Sequence, residues 1–181
     1  MNRLNKFICL IVFSNFFIAA CALALAFESF VILHLPKTVY WYLPAIFCST
    51  LFIYTLHYYQ KSFTDKIDNR LTWVRKNKLF TQSILLISFI LSLLLFFFNL
   101  NSIFSGTALH KFKITLLIML MIILSLGYSS KLFFSATKSF RQIGWLKLPL
   151  LSFVWAFSTV ALPALITNTQ TDFYTNYFHM P

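Results

Sequence analysis

Charge is scarce in this 181-residue chain: 10% of its residues are charged against 59% hydrophobic, and carboxylates number four against fifteen Lys and Arg. So little polar surface excludes a soluble domain of this length, which would leave its apolar side chains facing water. Cysteine is equally sparse. Cys9, Cys21 and Cys48 fall inside apolar runs, with no CxxC pair and no His at ligand spacing, so neither a disulfide framework nor a metal cluster is implied. Ionisable residues deep in the apolar runs are also missing. A small transporter or channel needs such groups to move a polar solute, and only Glu28 and His57 come near that description.

What the chain has is five long apolar runs: 7–27, 39–59, 81–100, 114–130 and 146–166. Each approaches the roughly 20 residues that cross a bilayer core as a helix. The expectation is an all-α, polytopic transmembrane bundle in a single domain. The first run also resembles a signal peptide, with Arg3 and Lys6 ahead of it and Ala22, Ala24 and Ala26 within it. Its apolar stretch is longer than a secretory h-region and continues past Cys21 without turning polar, which favours a retained helix. Ala19, Ala22 and Ala26 recur at helical spacing and would give that helix a small-residue packing face.

Positive charge alternates between the runs. With the N-terminus in the cytoplasm, twelve of the fifteen cations lie inside and three, Lys37, Lys111 and Lys113, outside. Short basic segments resist translocation, so the chain is expected to be a multi-pass inner-membrane protein with its N-terminus in and C-terminus out. The net charge of +11 does not point to nucleic acid, because the cations flank apolar runs instead of forming one basic patch. Tyr40, Trp41 and Tyr42 sit where rings anchor at the outer headgroups, and Tyr54, Tyr58, Tyr59 and Trp73 make a similar group inside.

Three constellations are candidates for function. Thr50, Tyr54, His57, Tyr58 and Lys61 share one helical face and would line a polar cavity opening inward; an interface belt with a snorkelling Lys is the alternative. Asp65 and Asp68, three apart on a helix continuing from the second run, would turn to one side and could share a divalent cation. Surface pairing with Lys61, Lys66 and Arg70 explains the same pattern. Lys131, Lys138, Arg141 and Lys147 could cradle a diphosphate, or only set topology. Pro163 is expected to kink the fifth helix or open its outer end.

Several segments together resemble the UbiA-type membrane prenyltransferases, and more closely their divergent Bacteroidetes-like members. They are Asn15-Phe-Phe-Ile-Ala-Ala-Cys-Ala22, Thr50-Leu-Phe-Ile-Tyr-Thr-Leu-His-Tyr58, Arg70 with Trp73-Val-Arg75, Gly127-Tyr128, and Arg141-Gln-Ile-Gly-Trp-Leu-Lys147 leading into Val154-Trp-Ala156. The resemblance implies a nine-span bundle in which Mg²⁺ bridges an isoprenyl diphosphate to two Asp-rich motifs, and an allylic carbocation then alkylates a lipophilic acceptor. Where the family places its first motif, this chain has Tyr54-Thr-Leu-His-Tyr-Tyr-Gln-Lys61 without a carboxylate; Asp65 and Asp68 replace it only with a slip of about ten residues. The second motif belongs to a sixth helix beyond the five runs. The resemblance therefore implies an N-terminal part, a truncated product, or a half completed by a second polypeptide. A non-catalytic scaffold or lipid-binding module derived from that fold is the alternative.

Overall fold

The structure, a computed structural model, describes residues 3–64, 68–100, 108–129, 149 and 152–167. All regular structure among them is helical. Helices α1 (Arg3–Phe13) and α2 (Phe16–Ile32) are followed by a 3₁₀ turn at Lys37–Val39 and then by α3 (Tyr42–Thr64). A short polar helix, α4 (Asn69–Lys76), leads into α5 (Lys78–Phe98). Helices α6 (Ala108–Ser129) and α7 (Ser152–Thr167) complete the description.

Two of these helical stretches, Lys37–Phe63 and Lys78–Phe98, are long and apolar enough to cross a membrane, and the α1–α2 pair supplies a third if read as one bent span. The distribution of side chains agrees with a lipid environment. On α2 the buried positions are Ala19, Ala22, Ala26 and Phe30, while Phe17, Leu25, Phe27 and Val31 are exposed. Helix α5 buries Thr81 and Ser88 and exposes Leu86, Ile87, Leu93 and Phe97. Small and hydroxylated residues inside with large apolar ones outside reverse the pattern of a water-soluble bundle. In hydrocarbon, Leu and Phe gain nothing by being inside, and small residues let backbones approach. The Ala19, Ala22, Ala26 face packs as its spacing predicts. The hydroxyls of Thr81 and Ser88 are satisfied locally, by the carbonyl of Asn77, which caps α5, and by that of Leu85 within it.

The first span departs from expectation. The run 7–27 is not one helix: it breaks at Ser14–Asn15, where α1 and α2 meet at 65°, and α2 continues five residues beyond it to Ile32. The hydropathy of the run is continuous, but Asn15 takes a left-handed backbone (φ 69°, ψ 5°) that no helix can contain. Asn is among the few residues that adopt it at modest cost. Helix α2 ends in a Schellman motif: the Leu35 N–H donates to the Phe30 carbonyl and the His34 N–H to that of Val31, with His34 left-handed (φ 50°).

The main apolar core lies at the end of the bundle where α2 gives way to α3. Phe30, Val39, Tyr42, Ile46, Ile114 and Ile166 pack with Ala26. Phe30 stacks on Tyr42 with centroids 6.4 Å apart, and the Tyr42 hydroxyl donates to the Ser158 carbonyl at 2.7 Å. That carbonyl belongs to a π-helical turn, Phe157–Ala161, just ahead of the buried Pro163. A proline without N–H cannot close the regular ladder, and a widened turn absorbs the mismatch. Where the sequence suggests a kink or an opened outer end, the fifth apolar run carries a widened turn just ahead of its proline.

Candidate functional site

At the opposite end, α3 does not continue through the polar segment. It stops at Thr64; Asp68 has an extended backbone and caps α4, its side chain accepting from the Asn69 N–H at 2.7 Å. The Thr72 N–H and hydroxyl both return to the Asp68 carbonyl. An acidic N-cap is favoured here because it satisfies an otherwise unpaired N–H. Helix α4 then turns at Asn77 into α5. It packs through Leu71 and Val74, with Trp73 edge-on to both Phe13 and Phe80 at about the 6 Å centroid separation typical of such pairs.

This folding-back carries Arg70 to the break in the first span. Its Nη2 group donates to the Asn15 Oδ1 and, at 3.2 Å, to the Val12 carbonyl. Val12 lies in the last turn of α1, where carbonyls lack helical partners and a cation is favourable. The other end of the Asn15 amide donates to Thr55 Oγ1 at 3.3 Å. Asn15 and Thr55 are both fully buried, so each needs this partnership. The Arg70 guanidinium lies 3.6 Å from the centre of the Tyr58 ring. One cation therefore joins α1, α2, α3 and α4.

Arg70 is half-buried, and its Nε has no hydrogen-bond partner. Burial pulls the guanidinium below its usual pKa, while nearby Tyr58 and Asp68 push it up. The ordinary value lies so far above neutrality that Arg70 remains a cation. A second cation works beside it: Arg75 Nε donates to the Ser62 carbonyl in the last turn of α3. Gln82 of α5 donates to the Tyr59 hydroxyl at 2.8 Å, tying α5 to α3 at the same level.

Of the residues singled out from sequence, Tyr54, His57, Tyr58 and Lys61 share one face of α3 and are half-buried. Tyr58 meets both Arg70 and His57, the His57 and Tyr58 rings edge-on with centroids 5.4 Å apart. Asp68 is exposed and not helical, so the helical spacing expected to align it with Asp65 is broken at Asp68. Asp65, Lys66, Lys131, Lys138 and Arg141 lie outside the described residues. Asn15 and Thr55 carry no functional motif of their own in the sequence, although both fall in segments that carry the family resemblance. A Ser-Asn pair in an otherwise apolar run was the available signal. Among the described residues, no three His, Cys, Asp or Glu side chains come together as a metal site.

Comparisons with family models, curated proteins and solved structures gave no match. The residues themselves bring together a half-buried, permanently charged guanidinium at the end of a helical bundle and an aromatic ring beneath it, with Lys61 one turn further along α3 from that ring. Such an arrangement can neutralise an anionic oxygen group.

Proposed function

We propose that the chain is a multi-pass inner-membrane protein of UbiA-like architecture, with five spans and its N-terminus in the cytoplasm, that holds the diphosphate of an isoprenoid lipid at its inner rim. The observation that carries this reading is the placement of Arg70. It is held on a short helix between two spans, over Tyr58, at the level where the resemblance puts the first headgroup-binding motif. Arg70 and Lys61 supply charge from this side, and Lys131, Lys138 and Arg141 from the second basic inner segment. Tyr54, His57 and Tyr58 face the isoprenoid side of the headgroup.

Prenyl transfer would further require Mg²⁺ to draw off the charge of the departing diphosphate. Asp65 and Asp68 are the candidate ligands. The capping role of Asp68 favours a second reading, in which the same rim binds an anionic lipid headgroup without metal and without transfer. Binding of farnesyl diphosphate to the protein in lipid nanodiscs separates the two. A Mg²⁺ requirement that disappears in the Asp65→Asn/Asp68→Asn variant supports the metal-dependent reading. Equal affinity with Mg²⁺ and with EDTA supports the metal-free one, and no saturable binding under either condition overturns the proposal that the rim holds an isoprenoid diphosphate.

A further inference from the structure

Helices α1 and α2, which extend past both ends of the first apolar run, together contain more helix than a membrane crossing needs. Helix α2 alone has 17 residues, a rise of about 26 Å, and α1 adds 11 residues, about 16 Å. Laid end to end they would reach about 42 Å, against a hydrocarbon core of about 30 Å. The 65° bend removes the excess. At that angle α1 advances only about 7 Å along the direction of α2 and runs about 15 Å sideways, for a combined rise close to the core thickness.

The residues fit such a path. The first turn of α1 carries Arg3, Asn5 and Lys6, whereas the rest of the helix is apolar, with Phe7 (60% exposed), Ile8, Leu10 and Val12 turned away from the protein. A polar, cationic beginning and an apolar remainder suit a helix that starts among headgroups and sinks obliquely into the acyl boundary. The bend is also fastened. Asn15 holds its left-handed turn, Arg70 bonds the Val12 carbonyl and the Asn15 side chain, and Trp73 packs on Phe13.

We infer that α1 is an interfacial arm, lying in the inner-leaflet boundary with its first turn against anionic lipid headgroups, and that α2 is the crossing segment. This goes beyond the isoprenoid reading and holds for either form of it.

Nitroxide labels measure it. Single cysteines are placed at Leu4, Ile8 and Ile11, which share one face of α1, and at Phe17, Ala24 and Val31 on α2, in protein with Cys9, Cys21 and Cys48 replaced by Ala. Reconstituted in vesicles containing phosphatidylglycerol, the labels report depth by the competing relaxation effects of oxygen and a nickel chelate. Depth should change by about 4 Å from position 4 to 11, against about 20 Å from 17 to 31, a slope per residue less than half as steep. Exchanging phosphatidylglycerol for a zwitterionic lipid should move the label at position 4 toward water. Equal slopes in the two helices, labels on α1 fully open to the nickel chelate, or no response to lipid charge would overturn the inference.

Discussion

Arg70 illustrates how a charged side chain is accommodated at a membrane boundary. Its guanidinium gains two backbone and side-chain acceptors and an aromatic face, which together offset part of the desolvation that burial imposes. The contribution of the ring is separable. Tyr58→Phe keeps a π face under the cation and should change thermal stability in detergent little. Tyr58→Leu should cost about 1–2 kcal/mol and lower the unfolding midpoint by several degrees. Equal behaviour of the two variants would mean that the ring is only a spacer. At this scale the sequence is least readable: Tyr58 and Arg70 stand out as candidates, but Asn15 and Thr55 are polar residues whose worth depends on partners 40 and 55 positions away.

Helices were more legible than side chains, because apolar content sets where they lie. The second and third runs agree with α3 and α5 to within a few residues at most ends. What content could not reveal was interruption. The left-handed turn at Asn15 and the extended backbone at Asp68 are each local to one residue, and mean hydropathy averages over both. The close packing of α2, by contrast, was written in its small residues. Ala22→Leu should overpack that face, destabilise by about 1–3 kcal/mol and favour aggregation on extraction. Leu25→Ala on the exposed face should leave stability within about 0.5 kcal/mol. A milder effect at Ala22 than at Leu25 would reverse the assignment of inner and outer faces.

For the whole molecule, the helical architecture of the described residues and the large apolar side chains exposed on α2 and α5 agree with the composition, and the proposed orientation rests on where the cations lie. In protein lacking Cys9, Cys21 and Cys48, a cysteine at Lys37 should react with a membrane-impermeant maleimide in spheroplasts. One at Lys76 should react only after lysis. Both positions are exposed, so accessibility reports sidedness and not burial. The opposite pattern would place Arg70 on the outer face and remove the cytoplasmic isoprenoid reading.

The most direct measurement is the affinity of farnesyl diphosphate for the nanodisc-embedded wild-type protein and for Arg70→Gln and Arg70→Lys, each first checked for folding by its unfolding midpoint. Charge-assisted hydrogen bonds to a phosphate are worth about 1.5–3 kcal/mol, so Arg70→Gln should weaken binding by roughly 10- to 100-fold, with Arg70→Lys in between. Saturable wild-type binding with that ordering is the predicted result. Unchanged affinity in a folded Arg70→Gln protein would contradict it and reduce Arg70 to a clasp that holds the bent first span in place.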